Sequence, residues 1–422
     1  MGNRRFLPRI VQTWRRTLQM RTDAQTQTNF QCRVLSDLQE LLTLEEHEAS
    51  QQRNEQLTSN NGAIGAEENA EAGYLVSCIQ ELYQDIQRMV FCNDRRVRLK
   101  AVMVFGLSVR QGLILPVVAV PCLVAVYADR EERSCRDHAH RILQSIAERH
   151  PLMLYSHVLS GILESFHVAY LTSGNVTSPS DLAIDQRSGY AVVSPVVDML
   201  PPKKRRELVV GILGQLASDK GEQKTEVQPQ CNSANQRHNH QHHKSKLAYL
   251  AAILASLDYG GSSAGYRSTA DSKTKRFRDE ISTILSSIAK HIANKGNSML
   301  QILESNLMDE EKDKLAHESF GVCLLVLLKQ ALRTRFQREA DVQKDSDPDQ
   351  EARRAPEKFT PSLPFLLSRA EPGSEEWRWV VDAQIECFQS LMSGVSFDEC
   401  EIGLEAPKRR RREDASRSPS KR

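Results

Sequence analysis

The chain has 422 residues, of which 40% are hydrophobic, 6% aromatic and 26% charged, a composition typical of a globular protein. The net charge of +2 is unevenly distributed: residues 1–22 and 406–422 each carry +6, which leaves −10 on residues 23–405. An acidic body argues against a general nucleic-acid binder, so any DNA contact requires a local basic patch.

Apolar residues recur with helical spacing along most of the chain, and no run with a period of two competes with them. Helical stripes are predicted within Val34–Leu42, Leu75–Val90, Val97–Phe105, Pro116–Tyr127, Ala139–Ala147, Leu154–Tyr170, Ala183–Leu200, Leu208–Leu216, Leu247–Leu257, Phe277–Ile292, Phe320–Ala331 and Trp377–Leu391. Polar or low-complexity composition predicts linkers at 45–72, 172–180, 219–245 and 337–362. Short turns and a spacing of about 35–40 residues are typical of HEAT or armadillo units. The predicted fold is an all-α HEAT-repeat α-solenoid with disordered linkers and basic tails.

Turn signals are concentrated around residues 94–121. The pair Asn93-Asp94 is placed to cap the helix that follows it, and Gly112 is able to end that helix at positive φ. Pro116 suits the first turn of the next helix, whereas Pro121 removes a backbone donor one turn later and is expected to bend it. Gln111 is expected to satisfy backbone groups at the turn.

Nothing in the sequence predicts an enzyme, a cofactor or a membrane span. The chain has no phosphate-binding loop, dinucleotide fingerprint, nucleophile elbow or zinc-protease motif. Its longest uncharged apolar run, Leu113–Ala128, is shorter than the ~20 residues that a bilayer requires, and two prolines interrupt it. Nine scattered cysteines without a CxxC pair indicate a reducing compartment.

Three basic clusters are candidate contact sites. The run Lys408, Arg409, Arg410, Arg411 and Arg412 is typical of a nuclear import signal, the alternative being a solvated basic tail. Two further clusters are candidate DNA or partner contacts: Arg95, Arg96 and Arg98 at one helix start, and Lys203, Lys204, Arg205 and Arg206 at another. The alternative interpretation of each cluster is a solvated turn. Cations at a helix start oppose the helix dipole, which indicates a role other than stability.

A histidine cluster lies in the low-complexity stretch between two helices. His238, His240, His242 and His243 have no spacing that fits a closed metal site, and no cysteine pair supports them. The sequence therefore predicts a histidine-rich linker rather than a metal centre.

The segment VRLKAVMVFGLSVRQGLILPVVAVPCLVAVYAD, residues 97–129, resembles a known signature. It is similar to the C-terminal domain of the Nipped-B / sister chromatid cohesion protein 2 family, the cohesin loaders. The matching positions include Arg98, Ala101, Gln111, Gly112, Leu113, Pro116, Pro121, Leu123 and Asp129. Leu115 stands where relatives usually carry His, an exchange that we expect to suit a buried turn. The resemblance covers about residues 30–335.

This resemblance implies a function in sister chromatid cohesion. Family members are HEAT-repeat hooks, longer than this chain, that load the cohesin ring onto chromatin, contact its SMC and kleisin subunits and DNA, and stimulate the SMC ATPase. The expected protein is a nuclear, chromatin-associated scaffold that catalyses no reaction and binds no small-molecule substrate. Its expected parts are a basic segment 1–28, a cohesion domain 29–335, a linker with a C-terminal helix 336–405, and an import tail 406–422.

Two alternative interpretations remain from the residues alone. An unrelated nuclear HEAT-repeat adaptor would show chance similarity at 97–129 and no affinity for cohesin. A mitochondrial helical-repeat RNA binder is suggested by the arginine-rich, acid-free start of the chain. The simpler interpretation of that start is a basic helix that leads into the helical array.

Overall fold

The computed structural model describes residues 7–20, 24–58, 68–173, 178–217, 233–259, 270–305, 308–342, 356–368, 370 and 373–395. These residues form helices α1 Leu7–Gln19, α2 Ala24–Thr58, α3 Glu68–Val90, α4 Arg95–Arg110, α5 Pro116–Val126, α6 Arg133–Arg149, α7 Pro151–Leu171, α8 Pro179–Ala183, α9 Ser194–Asp198, α10 Pro202–Ala217, α11 Ser233–Ser256, α12 Ala270–Leu303, α13 Asp309–Val342, α14 Pro364–Leu367 and α15 Glu375–Ser393. Within these ranges there is no strand, and the predicted all-α solenoid is confirmed.

Three polar stretches are more helical than their composition suggested. Helix α2 continues to Thr58, so the linker predicted at 45–72 is wrong over its first part. Helix α11 begins at Ser233 inside the predicted disordered insert, and α13 extends to Val342. Glu, Gln, Lys and Arg are good helix formers, and helices that begin in the core continue through such residues without an apolar stripe.

The helix predicted across Ala183–Leu200 is wrong. Two short helices, α8 and α9, flank a turn instead, in which Gly189 has φ 71° and donates its backbone N–H to the Asp185 carbonyl at 2.8 Å. Pro195 lies in the first turn of α9, where a proline starts a helix more readily than it continues one. The apolar residues of this segment are buried as predicted, but from a compact turn.

The first four helices form a closed ring of contacts. Helix α1 packs on α2 and α3, and α4 packs on the same two helices. Val11 and Leu18 of α1 are buried in this group, so the basic start of the chain packs into the array. Each helix presents one apolar stripe to the centre of the ring.

Helices α5 and α7 run side by side in the same direction at close range. A β-carbon at Gly161 would lie 2.5 Å from Cβ of Val124 and 2.8 Å from the Pro121 carbonyl oxygen. Further along, the backbone N–H of Arg130 donates to Oγ1 of Thr172 at 3.1 Å. Glycine at 161 is therefore what allows the two helix backbones to approach each other.

Helix α11 is central to the second half of the array. Residues Leu247–Ala255 are all buried because α11 contacts α7, α8, α10, α13 and α14. The guanidinium of Arg335, on α13, donates to the carbonyls of Ala255 and Leu257 at 2.9 and 2.8 Å, at the C-terminal end of α11. An arginine from another helix thus satisfies carbonyl groups that α11 cannot bond internally.

Among the described residues, one helix is long and apolar enough to cross a membrane. It lies within α13, over Asp309–Arg338, and 72% of its apolar window is buried inside the protein. Because α13 packs on α10, α11, α12 and α15, its apolar surface is explained by these contacts.

Candidate functional site

The signature segment forms the turn between α4 and α5. Gly112 has φ 74°, the left-handed conformation expected of a glycine that ends a helix, and no atom would obstruct a β-carbon there. The backbone N–H groups of Leu113 and Ile114 both donate to the Ser108 carbonyl, at 2.9 and 3.3 Å. Pro116 begins α5, as predicted. The glycine is thus required by backbone conformation and not by lack of space.

Gln111 joins this turn to a neighbouring helix. Its Nε2 donates to the Leu42 carbonyl of α2 at 2.7 Å, and the adjacent Arg110 pairs with Glu46 of α2 at 3.0 Å. We expected Gln111 to satisfy backbone groups within the turn, which is wrong. The glutamine side chain is long enough to reach the neighbouring helix, so Gln111 fixes the end of α4 against α2.

Leu115 lies on the surface. Its side chain is 70% exposed, so the expectation that it suits a buried turn is wrong. Because α5 and α7 run in the same direction, the start of α7 lies beside Leu115, and there Leu152 is 75% exposed and Met153 42% exposed. We name Leu115, Leu152 and Met153 the apolar rim.

Arg98 is buried beneath the α3–α4 turn. Its Nε lies 2.9 Å from Oδ2 of Asp129, one NH2 group lies 2.8 Å from Glu131, and the other donates to the carbonyls of Cys92 and Asn93. Only 2% of its side chain is exposed. Arg98 was a candidate DNA contact, and that prediction is wrong. It instead holds the α3–α4 turn against the α5–α6 turn. Burial acts to lower the pKa of Arg98, but the hydrogen bonds and negative charges of Asp129 and Glu131 outweigh this effect and raise that pKa.

Arg205 is wrong as a DNA contact for the same reason. Its side chain is 4% exposed, lies 3.1 Å from Asp198 and 3.9 Å from Glu280, and donates to the Asp258 carbonyl. Its guanidinium is buried and bonded within the protein, so it does not face a phosphate in solvent.

Residues 75–263, from α3 to just past α11, match the family model for the sister chromatid cohesion C-terminus, Nipped-B_C. This segment is similar to the C-terminal domain of the Nipped-B family. No curated protein sequence matches it. The matched segment includes the α4–α5 turn, the apolar rim and the buried Arg98–Asp129 pair, and it associates the chain with sister chromatid cohesion.

The remaining signature residues lie in the core or at contacts between helices. Ala101, Leu123 and Asp129 are buried, Leu113 packs against the core, and Pro121 lies within α5 where that helix meets Gly161. Asp129 also accepts the backbone N–H groups of Glu131 and Glu132, both at 3.0 Å. It therefore organises the turn that precedes α6.

Four cations of the two predicted clusters remain on the surface. Arg95, Arg96, Lys203 and Arg206 are exposed, and Lys204 pairs with Glu207 at 2.5 Å. Arg96 lies 3.6 Å from Asp94, which caps α4 by accepting the backbone N–H groups of Arg96 and Val97. The cation run Lys408–Arg412 lies outside the described residues.

The histidine cluster is described only in part. His242 contacts the rings of Phe166 and Tyr170 edge-on, with centroid distances of 4.9 and 5.9 Å. His243 is half-buried, and the side chains of His238 and His240 lie outside the described residues. Among the side chains that the structure describes, no group of three potential metal ligands occurs.

Proposed function

We propose that this chain is a HEAT-type scaffold in cohesin loading that binds cohesin and chromatin DNA in the nucleus. Its cohesin contacts are with SMC and kleisin subunits, and it supports loading without catalysing a reaction of its own. ATP hydrolysis belongs to cohesin in this scheme. The observation that carries the proposal is the Nipped-B match over residues 75–263.

The apolar rim supports a protein contact at the signature turn. Leu115 and Leu152 are among the most exposed large apolar side chains of the described residues, and Met153 adjoins Leu152. Exposed apolar groups that cluster on one edge mark protein-binding surfaces more often than isolated ones do. In the proposed complex a cohesin subunit covers this rim.

The basic tail supports nuclear entry. Five consecutive cations at Lys408–Arg412 suit the acidic groove of an import receptor. Replacing all five with glutamine should move a fluorescent fusion of the chain from the nucleus to the cytoplasm. Retained nuclear fluorescence would remove this role from the tail.

A pull-down of purified cohesin with the full chain tests the proposal, alongside a cohesin ATPase assay with DNA. Binding with stimulated hydrolysis is the expected result. Binding without stimulation would contradict the loading function and leave a docking module. An absence of binding at micromolar concentration would favour an unrelated nuclear HEAT-repeat adaptor.

The rim is tested in the same assay with the double variant Leu115→Glu/Leu152→Glu. Loss of two apolar anchors should weaken cohesin binding by about 30-fold or more, since each central anchor contributes over ~1 kcal/mol. The matched control is Leu367→Glu/Met308→Glu, which changes two large apolar side chains of similar exposure outside the rim. Equal effects of the two variants would place the contact away from the rim.

A further inference from the structure

Two cysteines lie together where α15 packs on α13. The two helices are in contact, and Gln384 and Phe388 of α15 are fully buried. Nε2 of Gln384 donates to Sγ of Cys323, on α13, at 3.5 Å. Cys387 follows Gln384 by three positions, so both side chains lie on the same face of α15. The face of α15 that carries Cys387 is therefore the face that contacts Cys323.

The two thiols are hydrogen-bonded to each other. This bond lowers the pKa of the Cys387 thiol to about 7, whereas the same bond and then burial raise the pKa of Cys323. Cys323 is therefore the donor and Cys387 the acceptor, because a donated hydrogen bond stabilises the thiolate that accepts it. A large fraction of Cys387 is thiolate at neutral pH, and the thiolate is the nucleophilic form of cysteine.

The two sulfur atoms differ in their access to solvent. Cys323 is completely buried, whereas Cys387 is half-buried. A small oxidant that arrives from solvent therefore meets Cys387 before Cys323. An accessible thiolate beside a second cysteine is the arrangement found at redox-sensitive sites, where the first cysteine is oxidised and the second resolves it.

Four other described cysteines lack this combination of thiolate character and access. Cys78, Cys122 and Cys135 are buried, and burial raises the pKa of each thiol. Cys32 is half-buried like Cys387, but burial and then the Asp94 carboxylate raise its pKa. Cys32 is therefore a natural internal comparison for the reactivity of Cys387.

We propose that Cys323 and Cys387 form an oxidation site at which hydrogen peroxide converts the two thiols into a disulfide that links α13 to α15. The sulfur of Cys387 attacks one peroxide oxygen, the O–O bond breaks, and the other oxygen leaves as water after taking up a proton. Cys387 is then a sulfenic acid. The sulfur of Cys323 attacks the sulfur of Cys387, the S–O bond breaks, and the hydroxide leaves as a second water with the thiol proton of Cys323. Two thiols are thus oxidised to one disulfide, and one peroxide is reduced to two waters.

The disulfide would fix the C-terminal helix to the array. In the reduced chain α15 is held on α13 by apolar contacts and by the bond from Nε1 of Trp377 to Asp313, at 2.9 Å. The link would close the chain between Cys323 and Cys387 into a loop that contains α14. A cross-link of this kind restricts the unfolded chain, so the oxidised protein should unfold at a higher temperature. The site acts within the chain and is independent of any cohesin contact.

The test treats the reduced full chain with hydrogen peroxide at neutral pH and maps its cysteines by peptide mass spectrometry without reduction. The expected product is the linked peptide pair of Cys323 and Cys387, which dithiothreitol should separate. Cys323→Ser should leave a sulfenic acid at Cys387 that dimedone traps, whereas Cys387→Ser should abolish both products. The matched control is Cys32→Ser, which removes another half-buried helical cysteine and should leave the yield of the link unchanged.

The natural chain supplies a second measurement that needs no substitution. At neutral pH Cys387 should lose its thiol about fivefold faster than Cys32 or more, since its larger thiolate fraction outweighs the lower nucleophilicity of a weaker base. Equal rates at the two cysteines would overturn the proposal. So would a link from Cys387 to Cys400, which lies outside the described residues, or a Cys323 thiol that stays reduced after Cys387 is oxidised.

Discussion

The buried Arg98–Asp129 pair makes the strongest prediction about stability. In Arg98→Met the apolar stem is kept, but Asp129, which is 1% exposed, loses its guanidinium partner and keeps the backbone N–H groups of Glu131 and Glu132. The carbonyls of Cys92 and Asn93 lose their partner at the same time. Removing one member of a buried, hydrogen-bonded ion pair costs about 3–5 kcal/mol. We expect a loss in this range, because the Asp129 carboxylate stays buried without its charged partner.

Urea denaturation followed by far-UV circular dichroism measures this loss. Arg98→Met/Asp129→Asn should be more stable than Arg98→Met by about 1–2 kcal/mol, since the second change removes the unpaired charge. Arg95→Ala, at an exposed cation of the same helix, should lie within about 0.5 kcal/mol of the natural protein. A loss below about 1 kcal/mol in Arg98→Met would refute a structural role for Arg98 and reopen its candidacy as a surface contact.

Three further predictions concern packing, backbone conformation and pH. Gly161→Ala should destabilise the fold by about 1–3 kcal/mol, because its β-carbon meets the Pro121 carbonyl, whereas Gly214→Ala, which meets nothing within 4 Å, should not destabilise it; thermal melting compares the two. Gly112→Ala should cost about 1 kcal/mol from its φ of 74° alone, and an unchanged urea midpoint would show that the turn relaxes. Burial lowers the pKa of Lys244 to about 7, below its unfolded value, so the unfolded chain binds more protons and stability should rise by about 1–2 kcal/mol between pH 7 and 9; Lys244→Met should show a smaller rise in urea denaturation at the two pH values.

The helical array and the signature turn were predictable because their signals are local. Apolar residues at helical spacing mark α3 to α7, and the cap at Asp94, the glycine at 112 and the proline at 116 each act within a few residues. The error at 183–200 arose because the same apolar spacing fits a compact turn when Gly189 and Pro195 interrupt it.

The roles of the charged residues were not predictable in this way. Arg98 and Arg95 are three positions apart in one helix, yet one is buried and the other exposed, and the difference depends on Asp129 and Glu131 more than thirty residues later. Likewise, Arg15 of α1 and Arg88 of α3 come together because both pair with the buried Asp85. A charge cluster in the sequence identifies cations but not which of them face water.

The two arginines at the C-terminal end of α11 have a consequence for length variation. Arg335 holds the carbonyls of Ala255 and Leu257, and Arg205 holds that of Asp258, so the axial position of α11 is set at this end. A change of chain length before Ser233 leaves the register of α11 against these two arginines unchanged. An insertion of one residue between 257 and 258 would displace the Asp258 carbonyl by roughly 3.3 Å relative to those of Ala255 and Leu257, so that Arg205 and Arg335 could not both keep their bonds. Natural variants of this domain should therefore differ in length before α11 and keep a constant length after it.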